Sequence, residues 1–247
     1  MNAATPPPAL LEVRNLTRRF GGLTAVSDLS FEVRSGEILG LIGPNGAGKS
    51  TTFNLISGFL APSAGRLVFA GEDITGRGPE RISRLGLVRT FQHGSLLPEM
   101  SVYDNIRLAT ISLFKSGAER DRRVRETAAL LALDGELDRL AGNLPHGRQR
   151  LVSIAIAFAR HSKLLCLDEP LTGLNQSEVA GVLAVFRRIR DEFGTTILLV
   201  EHNMKAVMEV CDRIVVLDYG VLLAEGLPQE VARNAAVIEA YLGKRAA

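Results

Sequence analysis

Gly43-Pro44-Asn45-Gly46-Ala47-Gly48-Lys49-Ser50 is the stretch on which the reading of this 247-residue chain turns. It fits G-x-x-x-x-G-K-[ST], a loop that cradles phosphates. Ahead of it runs Glu37-Ile38-Leu39-Gly40-Leu41-Ile42, a short apolar run of the buried-strand kind. After it come Thr51-Thr52-Phe53-Asn54-Leu55-Ile56, with Phe53 and Ile56 three apart, as on one helix face. Strand, glycine-rich loop and helix is the context this loop needs; without it the same residues would be a glycine-rich turn that only joins two elements. A nucleotide triphosphate brings several negative charges into a small volume. Glycines let successive backbone N–H groups point inward as an anion-binding concavity, and a helix starting near Lys49 adds the positive end of its dipole. Asn45, Gly46, Ala47 and Gly48 therefore read as the cradle, Lys49 as the group reaching the terminal phosphates, and the Ser50 hydroxyl as a ligand of Mg²⁺, which prefers hard oxygen donors.

Composition is that of an ordinary globular chain: 46% hydrophobic, 23% charged, formal net charge +2. So balanced a charge argues against a nucleic-acid or anionic-membrane binder. The run Arg120-Asp121-Arg122-Arg123-Val124-Arg125-Glu126 is broken by acids and reads as a solvated helix face. Cys166 and Cys211 sit in separate apolar segments and read as buried, reduced thiols of a cytosolic protein. Met1 to Thr5 lacks a basic leader and Pro6-Pro7-Pro8 follows at once, so no signal peptide is expected. No apolar run approaches the ~20 residues that span a bilayer.

Residues 9–42 read as strand-rich, with segments at Leu10–Val13 and Ala25–Val33 divided by Gly21-Gly22 and Ser35-Gly36 turns. A strand at Gly65–Phe69, a short helix from Pro79 to Arg84 and a strand from Leu85 to Phe91 follow. Then the period changes. Ser101 to Asp104 looks like a capping box. Val102, Ile106, Ala109 and Leu113 form an amphipathic stripe, and Val124, Ala128 and Leu131 repeat it. Residues 93–158 therefore read as a helical insertion within an α/β core of residues 1–92 and 159–247. In the second half of the core, strands at Leu164–Leu167, Thr195–Val200 and Arg213–Leu217 alternate with helices at Ser177–Arg190 and Met204–Cys211. A last strand or hairpin at Gly220–Glu225, a short helix opened by Pro228 and a final helix at Ala235–Leu242 follow. Continuous apolar strands alternating with helices predict a parallel sheet covered on both faces.

Such a sheet binds ligands at the carboxyl ends of its strands. Asp168-Glu169 closes the strand 164–167, which places Asp168 to hold Mg²⁺ and Glu169 to polarise a water attacking the terminal phosphate. Standing alone, an Asp-Glu pair would be a solvated turn. His202 follows the strand 195–200 and Glu201, where a ring N–H could donate to the γ-phosphate; a helix-start histidine without that role is the alternative. Gln92, after another strand, is a candidate to touch Mg²⁺ or the attacking water. Phe20 precedes a Gly-Gly turn and is either a platform for the base or a core phenylalanine.

The order of these motifs resembles the ATP-binding cassette ATPases of membrane transporters over nearly the whole chain. The resemblance places Phe20 at the family's base-stacking aromatic and adds Thr51 to the phosphate loop. It makes Gln92, in Arg89-Thr90-Phe91-Gln92, the glutamine loop, Asp168 and Glu169 the Walker B pair, and His202 the switch histidine. It implies a P-loop core with a parallel sheet, an N-terminal antiparallel β subdomain and the inserted helical subdomain. ATP and Mg²⁺ would be the cofactors, and hydrolysis of ATP to ADP and phosphate the reaction. The family signature Leu-Ser-Gly-Gly-Gln aligns with Leu144-Pro145-His146-Gly147-Arg148, so Pro145 replaces the usual serine while Gly147 remains. In the family, two cassettes pair head to tail and this stretch completes the partner's ATP site. Phe20–Val26, Val88–His93, Asp168–Asn175 and Ala240-Tyr241-Leu242-Gly243 look like the ATPase subunits of branched-chain (hydrophobic) amino acid importers; urea and amide importers are near relatives. What this implies is a subunit on the cytoplasmic face of the membrane, bound to transmembrane permease subunits and a second cassette, and served indirectly by a solute-binding protein outside. The altered signature leaves open a catalytically weak, regulatory cassette in an unequal pair.

Overall fold

A computed structural model describes residues 8–90 and 96–242. The chain opens with a long antiparallel hairpin, β1 (Ala9–Phe20) and β2 (Leu23–Arg34), then β3 (Ile38–Ile42) and α1 (Lys49–Ile56). Next come β4 (Ala64–Phe69), β5 (Glu72–Asp73), α2 (Pro79–Arg84) and β6 (Leu87–Arg89). Three helices follow: α3 (Val102–Thr110), α4 (Gly117–Leu130) and α5 (His146–Phe158), with two short 3-10 turns between the last two. The second half runs β7 (Leu164–Asp168), α6 (Gln176–Phe193), β8 (Thr196–Val200), α7 (Met204–Val210), β9 (Arg213–Asp218), β10 (Val221–Gly226), α8 (Pro228–Arg233) and α9 (Ala235–Leu242).

Two sheets result. An antiparallel one has the order β2-β1-β4-β5, and the larger one β10-β9-β3-β8-β7-β6. In the larger sheet β6, β7, β8, β3 and β9 pair in parallel, and β10 closes one edge antiparallel to β9. Its central strands β3, β7 and β8 are buried almost throughout and mostly apolar because both faces are covered. Ile38, Leu165, Leu167, Ile197 and Leu199 face the core under the helices. Leu39, Leu41, Leu164, Cys166 and Leu198 face the core shared with the antiparallel sheet and α1. Period-2 alternation thus persists, with both sets apolar.

β1 runs past the expected Val13 to Phe20 because it is hydrogen-bonded on both sides, to β2 and β4, and absorbs register shifts around Asn15. β6 begins only at Leu87, after Gly86 at φ +103°. α3 starts at the expected cap, where Ser101 Oγ accepts from the Asp104 N–H at 3.0 Å. The helix stops at Thr110, so Leu113 falls outside the stripe and is exposed. α6 opens with a reciprocal cap: Asn175 Oδ1 accepts from the Glu178 N–H at 3.0 Å, and the Glu178 carboxylate accepts from the Asn175 N–H at 2.9 Å. Both cysteines are buried, and burial pushes the Cys166 thiol up to about 12. Among the described residues no helix is long and apolar enough to cross a membrane.

One expectation fails within the basic run 120–126. Arg123 is 7% exposed and leaves the solvated face. Its guanidinium donates to Phe158 O at 2.7 Å and to Ala159 O, and lies over the Phe158 ring. It satisfies carbonyls at the end of α5, which no helical N–H can reach. The arginine stem packs on apolar surface while its head meets those carbonyls.

A buried ion pair closes the base of the large sheet. Arg213 of β9 donates to Glu37 Oε1 at 2.8 Å, each side chain being 10% exposed, and also reaches Glu225. Removing one member of such a pair leaves a charge without compensation in a poor dielectric. Arg213→Ala is therefore expected to cost about 3–5 kcal/mol and lower Tm by roughly 10 °C. Thermal unfolding at neutral pH checks this, and a shift under about 2 °C would show that Glu37 reaches water in the folded state.

Candidate nucleotide site

The carboxyl ends of β3, β7 and β8 meet on one side of the large sheet. A cleft of about 430 Å³ opens there, lined by Leu23, Thr24, Ala25, Asn45, Gly46, Ala47, Gly48, Lys49, Ser50, Thr51, Glu169, His202 and Tyr219. The geometry of its floor follows from the sequence 43–50. Gly48 holds φ +95°, and a Cβ there would stand 2.7 Å from Ala25 O of β2. Gly43 is tighter still, with a Cβ position 2.2 Å from Leu217 O at the end of β9. Only glycine lets the loop turn this closely against its neighbours. The loop is braced from behind as well: Gly220 N–H donates to Ala47 O at 3.0 Å, and Ser27 N–H to Gly220 O at 2.8 Å.

Gly48 is the N-cap of α1 and no side chain caps that helix. The N–H groups of the first turn, which have no partner inside a helix, thus begin at Lys49, Ser50 and Thr51 on the cleft wall. This is the donor set an anionic phosphate chain requires. Lys49 Nζ donates to Gly43 O at 2.7 Å and Pro44 O at 2.9 Å, which holds the ammonium over its own loop. Burial lowers its pKa, and the nearby Glu169 carboxylate opposes that shift.

Glu169 stands in the left-handed region, at φ +47°. A non-glycine residue there costs about 1–3 kcal/mol and persists only where the surroundings enforce it. Here its N–H is tied to Val200 O of β8 at 2.9 Å. Its Oε1 lies 2.6 Å from His202 Nε2. Those two candidates meet in the cleft as the strand-end rule requires, with Nε2 carrying the proton if it is to donate to the carboxylate.

Asp168 does not line the cleft. Its Oδ2 accepts from the Arg89 guanidinium at 2.7 Å, both side chains being 11% exposed. Arg89 also bonds Asn54 and Ser57 and lies over the Phe53 ring at 4.6 Å, so it anchors Asp168 to α1. Among the described residues no group of three or more His, Cys, Asp or Glu could enclose a metal. Of the two, the Ser50 hydroxyl lines the cleft and Asp168 does not; one protein hydroxyl suits a Mg²⁺ that keeps phosphate oxygens and water as its other ligands.

Phe20 ends β1, 41% exposed under the Arg18 guanidinium, and is not part of the cleft wall in the single chain. Gly147 is buried in the first turn of α5. A Cβ there would stand 2.5 Å from Glu178 Oε1, so it packs against α6 rather than lining this cleft. Gln92 lies outside the described residues.

Sequence reasoning missed four contributors. Leu23, Thr24 and Ala25 arrive on the β2 arm, and Tyr219, 86% exposed, from the β9–β10 turn. No local pattern marks them as cleft residues, since the pairing of distant segments brings them in. Arg89 and Glu201 could have been found, because each sits at the carboxyl end of a parallel strand, the rule that singled out Asp168 and His202.

Comparison with known proteins agrees with this geometry. The ABC transporter profile matches residues 26–172, and that of the branched-chain amino acid ATP-binding cassette transporters matches residues 221–247. The chain is 40% identical to the high-affinity branched-chain amino acid transport ATP-binding protein BraF of Pseudomonas aeruginosa, over 95% of this chain and 98% of that one. It is 39% identical to LivG of Escherichia coli K12, of the same description and coverage. A solved ATP-binding cassette of an ABC transporter in its ADP conformation superposes with a TM-score of 0.87 at 30% identity, covering 96% of this chain and all of the other. Phosphate loop, strand-end carboxylates and histidine, overall fold and sequence all converge: the chain belongs to the ABC transporter family, as an ATP-binding cassette that hydrolyses ATP to power transport across a membrane.

Proposed function

We propose that the chain drives an importer of branched-chain or other hydrophobic amino acids, working as one of two cassettes on the cytoplasmic face of the membrane. The observation that carries this is the cleft itself, where a glycine-rich loop, Lys49, Glu169 and His202 converge, in a chain 40% identical along 95% of its length to a branched-chain amino acid transport subunit. Loop N–H groups and Lys49 bind the phosphates of ATP. Ser50 and Asp168 would hold Mg²⁺, which would supply charge neutralisation at the terminal phosphates. Glu169 orients and polarises the water that attacks the γ-phosphorus, and bond cleavage releases ADP and phosphate. His202, bonded to Glu169 in the single chain, turns its Nε2 hydrogen bond toward the γ-phosphate. Gln92 contacts the metal or the water, Phe20 stacks on the base, and Gly147 completes the site of the partner cassette.

The helices of residues 93–158 move as a unit against the core 1–92 and 159–247. Between them lies a groove of about 340 Å³ that includes Phe59, Leu87, Val88, Thr90, Ile156 and Arg160. The permease docks at this groove. A solute-binding protein outside the membrane hands the amino acid to the permease and acts on this chain only through it.

Reconstitution of the chain with its permease, companion cassette and binding protein in vesicles tests the proposal. ATP-dependent uptake of labelled leucine or valine is expected, with turnover stimulated by the loaded binding protein. Uptake of urea or a short amide in place of these would replace the solute. One observation favours a second reading, in which the pair is unequal: α5 begins after Pro145, which carries no hydroxyl and makes no side-chain cap. Substituting Pro145→Ser separates the two. Unchanged turnover in the assembled transporter sets the unequal pair aside, whereas a rise of tenfold or more, about 1.4 kcal/mol in the barrier, supports it.

A further inference from the structure

Glu201 is 2% exposed, and no motif assigns it a role. Its Oε1 accepts from the Leu171 N–H at 2.7 Å, across 30 residues of sequence. Its Oε2 accepts from the His202 N–H at 3.0 Å and, more weakly, from the Asn203 N–H at 3.4 Å. One buried carboxylate thereby ties together two segments. One is the loop that leaves Glu169, and the other carries His202, whose ring contacts Glu169 at 2.6 Å. The loop needs such a tie. It starts from Glu169 in the left-handed region and turns again at Gly173, φ +80°. Beyond that it packs against the start of α5, since a Cβ on Gly173 would stand 3.1 Å from the His146 ring.

A solvated carboxylate would serve equally well for solubility, and burial pushes the Glu201 pKa up against the pull of those N–H groups. A buried acceptor aimed at three backbone donors on two loops is a device for holding those loops in register. We propose that Glu201 is a positioning residue for ATP hydrolysis: it clamps the Leu171 loop to the His202 segment so that Glu169 and His202 keep their mutual geometry. The proposal rests on the assignment of Glu169 and His202 to the hydrolytic step.

The test compares wild type with Glu201→Gln and Glu201→Asp in the assembled transporter. The amide variant keeps one acceptor oxygen but turns an NH₂ group toward backbone donors; the shorter acid cannot span both loops. Both are expected to bind ATP with Kd within about twofold of wild type while kcat falls about 10- to 100-fold, the scale of a misplacement near 1 Å. A residue that only supports the fold would lower Tm and the folded fraction while leaving kcat per folded molecule unchanged, and that result would overturn the proposal. A second measurement needs no variant. In the wild-type chain the Leu171 amide is expected to exchange with solvent at least tenfold more slowly than the Gly173 amide, and equal rates would also overturn it. Glu169→Gln, measured in parallel, keeps the two readings apart: if that variant stays active, the hydrolytic assignment fails whatever Glu201 does.

Discussion

Glu169→Gln is expected to lower ATP turnover by the assembled transporter about 10²- to 10⁴-fold, the range for losing a positioned general base. The substitution is isosteric, and the amide oxygen can still accept from His202 Nε2, which contacts Oε1 at 2.6 Å. Fold and ATP affinity should therefore hold while the chemical step stops. ATP would then accumulate in a stable cassette pair, visible by size exclusion at saturating ATP and Mg²⁺. Steady-state phosphate release measures the effect. Should the assembled wild type turn over no faster than the variant, this chain is not the motor and the regulatory reading takes its place.

Lys49→Ala should act one step earlier. Among the described residues Lys49 is the one lysine on the cleft wall, and its ammonium already spans Gly43 O and Pro44 O over the phosphate loop. Losing an electrostatic contact of this kind typically removes about 10²–10³ in rate, and here it should weaken ATP binding as well. The thermal shift on adding ATP provides the readout. At 100 times Kd a ligand adds about 2.7 kcal/mol of stability, which the wild type should display and the variant should largely lack. Equal stabilisation of both proteins by ATP would show that backbone N–H groups alone hold the phosphates.

Together these variants test a site whose parts were not equally visible in the chain. The phosphate loop was legible because its chemistry is local: eight consecutive residues, 43–50, supply the turn, the N–H groups and the ammonium. Asp168, Glu169 and His202 were legible at one remove, because apolar strands lead into them and a parallel sheet gathers its strand ends. The helix cap at Ser101 and the buried stripe of Val124, Ala128 and Leu131 were readable for the same reason, each being set by spacing within one element.

Contacts between distant segments were not legible. A sequence pattern reports which face of an element is apolar, and does not report what that face meets. Arg123 reads as one more charge on a solvated helix until α5 ends beside it, 35 residues later, with carbonyls to satisfy. Arg89 and Asp168 are 79 residues apart, and only the pairing of β6 with β7 sets guanidinium against carboxylate and turns Asp168 away from the cleft wall. Glu201 reaches Leu171 for the same reason, since the ends of β7 and β8 are neighbours.

By itself, then, the sequence determined a strand, a glycine-rich loop at residues 43–50 and a helix on a parallel α/β core with its acids and histidine at the strand ends. Local sterics and period-2 burial leave a strand, a glycine loop and a helix no other arrangement. Only the tertiary structure decided how those groups face one another: Glu169 on His202, Asp168 on Arg89, Glu201 on Leu171, with the β2 arm and Tyr219 as the outer wall. Those are short-range polar contacts, sensitive to a single ångström, and their partners are chosen by sheet order and loop path rather than by neighbours in the chain.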